Sequence, residues 1–351
     1  MTTAEMLDPG LRARRRASLL AALSVAVAVT GIACLSIGAY SVPPISVLEA
    51  VFLGGDSRAD LVIAQVRLPR IVFGLLVGAA LGGSGAALQV LFRNPLADPG
   101  LIGISSGAAL GAVTAIVLGG SLAPAVMSVM SIYAIPCAAF IGAGLATLAI
   151  VTIGNRRGKV DVALMLLAGI AINAIAQSGI GGLSFIADDQ QLRTLTFWTL
   201  GSLAIAGWDA LPLIAVCVLI PMALIASQAS ALNRFMLGEV EAAHLGLNVR
   251  RLKRMIILSV ALSVGVAVSF SGAINFVGLV VPHVVRIVAG ADNRIVVPGS
   301  MLCGAILTVL ADLAARMAVI PAELPVGLVM GAVGGPFFLW LLLRTQWRRS
   351  I

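Results

Sequence analysis

Apolar runs of about twenty residues follow one another along this chain with only short polar breaks, and no water-soluble fold can bury them all. They lie near Ser18–Tyr40, Ile71–Leu91, Gly100–Leu118, Val129–Ile153, Val162–Ile186, Leu211–Ser227, Leu252–Phe270, Phe276–Ala289, Val296–Arg316 and Val326–Leu343. Charged residues make up 11% of the 351 positions, against about 25% in soluble domains. The pattern predicts an all-α polytopic membrane protein with about ten transmembrane helices, since a helix satisfies its own backbone in lipid. The eighth run is short for a full crossing and reads as partly re-entrant. The first follows a basic stretch, as a signal peptide would, but exceeds the apolar core of about 7–15 residues that such peptides carry; it reads as a retained span. Residues 18–345 thus form the membrane domain, flanked by polar tails at 1–17 and 346–351.

Basic residues set the orientation. With both termini inside, the inner segments hold Arg12, Arg14, Arg15, Arg16, Arg93, Arg156, Arg157, Lys159, Arg234, Arg250, Arg251, Lys253, Arg254, Arg286, Arg294, Arg344, Arg348 and Arg349. Of the 23 Lys and Arg, only Arg58, Arg67, Arg70, Arg193 and Arg316 fall outside. That asymmetry obeys the positive-inside rule. The formal charge of +8 is therefore a topological signal, and no nucleic-acid partner is expected.

The longest polar interruption is Ser227–Arg251. Within it Leu232, Phe235, Met236, Val240, Ala243 and Leu247 recur at helical spacing. Gly238 interrupts the helix, Glu239 and Glu241 suit the first turn of a second one, and Gly246 suits its C-terminal cap. Two short amphipathic helices can lie flat on lipid or serve as a platform for a soluble partner.

No catalytic set is visible. His244 and His283 lack neighbouring ligands at metal spacing. Gly154–Val160 has the wrong spacing for a phosphate loop and no Ser or Thr after Lys159. Cys34, Cys137, Cys217 and Cys303 stand singly in apolar runs and read as small hydrophobes. Gly74, Gly78 and Gly82, then Gly107 and Gly111, then Gly327, Gly331 and Gly335, read as close helix contacts. Asp312 falls within a span; an intramembrane acid is a functional candidate, and a pair with Arg316 one turn on is its structural alternative. Gln89, Asn173 and Asn275 can bond between helices or line a path, and Ser105 and Ser106 can cap a helix or face that path. Arg67 and Arg70 flank a proline at the outer mouth, where they can snorkel or receive a partner's carboxylates. An ion-coupled carrier would show more mid-membrane charge and broken paired helices, and a membrane enzyme would show an acid/base or metal set.

Read together, Arg67-Leu-Pro-Arg70, Gln89, Phe92–Pro99, Gly103–Gly107, Leu237-Gly-Glu, Ala243-His-Leu-Gly246, Gly272–His283 and Glu323–Gly327 resemble the permease of bacterial ATP-binding-cassette importers for iron-siderophores, haem and vitamin B12. The resemblance runs in order from about Asp60 to Leu343. It implies a homodimer around a central path in the bacterial inner membrane, two cytoplasmic ATPase subunits and a periplasmic binding protein. It assigns Leu237, Gly238, Glu239, Ala243 and Gly246 to ATPase coupling. Arg67, Arg70 and Arg316 would meet the binding protein, and Asn94, Pro95 and Leu96 would form a gate. Gln89, Ser105, Ser106 and Asn173 are the path candidates. A second gate falls at Asn155–Lys159 with Thr152. No cofactor is expected on this chain, since ATP and magnesium belong to the ATPase. The wording of Ala97–Gly107 and Gly334–Trp340 is most similar to haem permeases.

Overall fold

In a computed structural model the described residues are 9–38, 42–54, 57–156, 159–205, 207–320 and 322–347. The expected tail residues Met1–Asp8 and 348–351, and Arg157 of the second gate, lie outside them. We name the principal helices α1 (Pro9–Ser36), α2 (Leu68–Leu91), α3 (Ile104–Leu122), α4 (Ala134–Gly154), α5 (Val162–Ile186), α6 (Leu211–Ser227), α7 (Val249–Ser271), α8 (Val277–Ala289), α9 (Asn293–Ala318) and α10 (Val326–Trp347). Among the described residues seven helical stretches are long and apolar enough to cross a membrane; α6 joins Ala229–Met236 across a 50° bend, and α8 and α10 give shorter apolar helices. The chain is a helical polytopic membrane protein, as its apolar runs require. Among the described residues the one β element is a two-residue antiparallel pair, Asn155–Arg156 with Lys159–Val160.

Two boundaries differ from expectation. Helix α1 starts at Pro9, so Arg14, Arg15 and Arg16 sit in its first turns and not in a separate tail. Ahead of α2, the chain is already helical from Arg58, with a π-helical turn at Ile63–Arg67. One element escapes the hydropathy pattern altogether: Asp189–Leu200 is a helix, opened by a capping box in which the Asp188 carboxylate and the Gln191 amide each bond the other's backbone N–H.

Helix α2 is the axis of the bundle. It is apolar on all sides and buried along nearly its whole length, as a helix without a polar face must be. Its glycines explain how neighbours come so close. A Cβ at Gly78 would land on the Gly304 carbonyl and 2.7 Å from the Thr308 hydroxyl. At Gly82 it would strike the Ser300 carbonyl, and at Gly85 the Gly278 backbone. Helices α3 and α4 meet the same way through Gly107, Gly111 and Gly142. In lipid no hydrophobic force pulls helices together, so backbone-to-backbone contact supplies the attraction. The third glycine series is only partly of this kind. Gly327 abuts the Leu200 and Ala273 carbonyls, whereas Gly331 and Gly335 face open space and Gly334 accommodates the Phe276 ring.

Substitutions should separate these cases. Gly78→Leu or Gly82→Val must push α2 off α9, an overpacking cost of about 1–3 kcal/mol or more, and should lower the thermal midpoint in detergent. Gly331→Ala should leave it unchanged or slightly raised, since alanine favours helix and meets nothing within 4 Å. Equal behaviour of the three variants would refute the close-contact account.

Candidate functional site

Three polar constructions stand out from the apolar bundle: a platform at one end, a turn beside it, and an ion cluster at the opposite end of α2.

The platform is Ala229–Met236 and Glu239–His244, separated by Gly238 at φ 141°. Gly246 at φ 77° ends the second helix, with N–H bonds from Gly246 to the Ala243 carbonyl and from Leu247 to the Ala242 carbonyl, the paired closure that glycine permits at that position. The apolar stripe divides in two, contrary to the single face that spacing suggested. Leu232, Phe235 and Ala242 are fully buried, while Met236, Leu237, Val240 and Leu245 are each more than half exposed and Ala243 is also exposed. The first helix uses its inner face as an anchor. Lys253 and Arg93 both lie over the Phe235 ring, at 5.8 and 5.2 Å from its centroid, favourable cation–π positions. Arg93 also donates to the Phe235 carbonyl, and Lys253 pairs with Glu239 at 2.7 Å. Asn233 bonds Asp292 and Asn293 at the start of α9, and Arg294 bonds Ser230. An apolar surface, rigidly tied to α2, α7 and α9, is thus presented outward.

The adjoining turn leaves α2 with Arg93 at φ 49°, Asn94 donating to the Gln89 carbonyl and Arg93 to that of Val90. The Asn94 side chain accepts from the Leu96 N–H at 3.0 Å, and Pro95 is exposed. Asp98 accepts from the Gly100 N–H at 2.8 Å. Although the residue is partly exposed, its other carboxylate oxygen is turned inward against Gly278. Desolvation therefore pushes the Asp98 carboxyl above the usual range, with the Gly100 N–H opposing. Ser106 donates to the Asn173 side chain and to the Gly103 carbonyl, joining α3 to α5; Ser105 is partly exposed beside them. Gln89 makes interhelical bonds: buried, it donates to the Gly278 and Leu279 carbonyls and accepts from Arg286, a brace between α2 and α8, and it also borders a cavity shared with Arg93 and His283.

At the far end, Asp312 is 2% exposed and shared by two arginines. Arg70 contacts both its oxygens at 2.8–3.1 Å, and Arg316 one of them at 3.1 Å. Arg70 also meets Glu323 at 2.7 Å, and Arg67 donates to the Leu35 carbonyl at 2.6 Å. These arginines are not free snorkelling side chains; Arg67 and Arg70 are buried and held within the fold. Arg316 is the partner of Asp312 that helical spacing predicts; Arg70 lies 242 positions away in the chain, where no local pattern points to it.

Asp312→Ala would leave Arg316 without its carboxylate and Arg70 with Glu323 alone, and breaking a buried pair from one side costs about 3–5 kcal/mol; a large fall in thermal midpoint is expected, and a small one would refute the clamp. For Asp98 the sign is opposite to that of a salt-bridged acid. A carboxyl pKa raised by folding means the folded state holds its proton longer, so stability falls as pH rises through the window above about 4, the unfolded value. Asp98→Asn keeps an acceptor for Gly100 without the charge. It should flatten the pH profile of the thermal midpoint across that window; parallel profiles would refute it.

Comparison with known proteins accords with this anatomy. The FecCD transport family matches residues 26–344. The hemin transport system permease of Yersinia pestis is 48% identical over 287 residues, covering 82% of this chain and 84% of that one. The vitamin B12 import system permease of Klebsiella pneumoniae is 36% identical over 338 residues, covering 96% and 97%. A metal-chelate type ABC transporter solved in an inward-facing conformation superposes with a TM-score of 0.82 at 31% identity, covering 93% of this chain and 99% of that one. A multi-pass helical bundle with an anchored platform, matched over nine-tenths of its length, identifies the chain as an inner-membrane ABC importer permease of the FecCD transport family.

Proposed function

We propose that this permease carries haem, working as one of two identical subunits around a central path. A separate ATPase seats on Ala229–Met236 and Glu239–His244, and a binding protein delivers cargo at the opposite end. The observation that carries the reading is the platform. Its inner face is cemented by Phe235, Lys253 and Glu239, while Met236, Leu237, Val240 and Leu245 project apolar surface from a membrane protein's polar loop. Such a patch is a partner surface, and an anchored one transmits force. Gly238 and Gly246 set its shape, and Ala243 lies on its exposed side. The contact with the binding protein falls at Arg67, Arg70 and Arg316. There Asp312 is held between Arg70 and Arg316, and the half-exposed Glu323 carries the cluster to the surface. Asn94, Pro95 and Leu96 close the inner end, with Ser105, Ser106 and Asn173 on the path. ATP and magnesium reside on the ATPase, and no cofactor resides here. Haem is favoured over other chelates by the 48% identity to a hemin permease.

Reconstitution in liposomes tests the whole. Haem uptake should require ATP, the ATPase and the binding protein together, and Leu237→Glu or Val240→Glu should abolish it while leaving the bundle folded. Uptake by the chain alone on a proton or sodium gradient would overturn the importer reading. Uptake of vitamin B12 or a siderophore in place of haem would overturn the cargo only.

A further inference from the structure

Arg286 belongs to neither the platform nor the far cluster. It lies in the last turn of α8, partly buried, and its hydrogen bond goes to a neutral partner, the Gln89 side chain. Arg93 leans on the Phe235 ring and carbonyl, also neutral. Among the described residues no carboxylate pairs with either guanidinium, although Arg16, Arg70, Lys253 and Arg316 all have acidic partners. Helix C-termini supply only about half a negative charge each. Two cations therefore share a region with no counter-ion from the protein.

Between them is a cavity of about 520 Å³, within the 300–1,000 Å³ range of small-molecule sites. Gln89, Arg93, His283 and Arg286 supply its polar wall, with Pro95, Met236 and Ile287 on the apolar side. Arg93, Met236 and Ile287 are exposed, so the cavity opens to the platform end of the bundle. Pro95 belongs to the turn after α2, and Met236 precedes Leu237 of the platform. The place is thus bounded by the proposed gate and by the proposed ATPase platform.

We propose that this cavity is an exit site for the acidic groups of an apolar-bodied organic anion, with Arg93 and Arg286 holding carboxylates while Met236 and Ile287 cover the flat apolar body. Guanidinium forks suit carboxylates geometrically, and an anion here replaces the missing counter-charge. The inference rests on the importer reading with a carboxylate-bearing chelate as cargo, but its binding step is separable from transport.

The test uses the full chain in phosphatidylcholine nanodiscs, with iron-free coproporphyrin, a water-soluble fluorescent polycarboxylate, as probe and anisotropy as readout. Arg286→Gln and Arg93→Gln should each weaken binding roughly ten- to hundredfold, the loss of one charge-assisted hydrogen bond. Arg286→Lys should restore part of it. Ile287→Glu adds a negative charge at an exposed wall position without removing a polar contact, so it should abolish binding with an unchanged thermal midpoint. Equal affinity in the wild type and these variants would overturn the site. So would loss of probe binding when phosphatidylglycerol replaces part of the lipid, which would make the cavity a lipid-phosphate site. If haem uptake fails in the complete transporter while coproporphyrin binding still depends on Arg286, the cargo assignment falls and the site stands. If uptake proceeds and Arg286→Gln binds the probe normally, the site alone falls.

Discussion

Helices α2 and α9 touch backbone to backbone at Gly78 and Gly304, and everything else in the bundle is arranged around that seam. In water such closeness would follow from expelling solvent. In lipid it must come from contact itself, and a single added methyl would force the helices apart. The same two helices are fastened at one end by Asp312, which α9 offers to Arg70 just inside the start of α2. Packing fixes how near they lie, and the ion cluster fixes their register. Each half relies on the other, since a buried carboxylate is tolerable only where the geometry of its cations is held.

The opposite end of α2 follows a different logic. Its C-terminal turn hands Arg93 to the platform and Gln89 to α8, so one helix end is wired to two elements that carry no direct covalent link to it. The Gln89 amide there reaches the Gly278 carbonyl, which lacks its usual helical donor because Pro282 carries no N–H. Because Phe235, Lys253 and Glu239 lock the platform to α7 while Asn233 locks it to α9, displacement of the platform cannot be local. It has to pass into the helices that surround α2.

Much of this was legible in the sequence, for identifiable reasons. The long spans declare themselves because lipid leaves a chain few choices. Gly238 and Gly246 were readable as breaks because their roles depend on backbone angles that few other residues adopt. The helix at Asp189–Leu200 was missed because its apolar content is low, although the pair Asp188 and Gln191 spelled its start. The Arg70–Asp312 clamp and the Gln89–Arg286 brace could not be read, since nothing local ties residues 242 and 197 positions apart. Likewise Gly331 and Gly335 repeat the spacing of real contact glycines, yet a Cβ there would meet no atom of this chain within 4 Å. Periodicity shows that a face is small, never what stands opposite it.

Glu323 gives the outer cluster a particular chemical character. Half its side chain is exposed, yet it already occupies the outward edge of the Arg70 guanidinium. A carboxylate arriving there cannot simply add to a vacant cation; it must trade places. In such an exchange the number of ion pairs is conserved and little charge is newly stripped of water, so the free energy is a small difference between two similar bonds. Attachment at that edge is by construction easily reversed, and the displaced Glu323 is tethered only three residues from the start of α10.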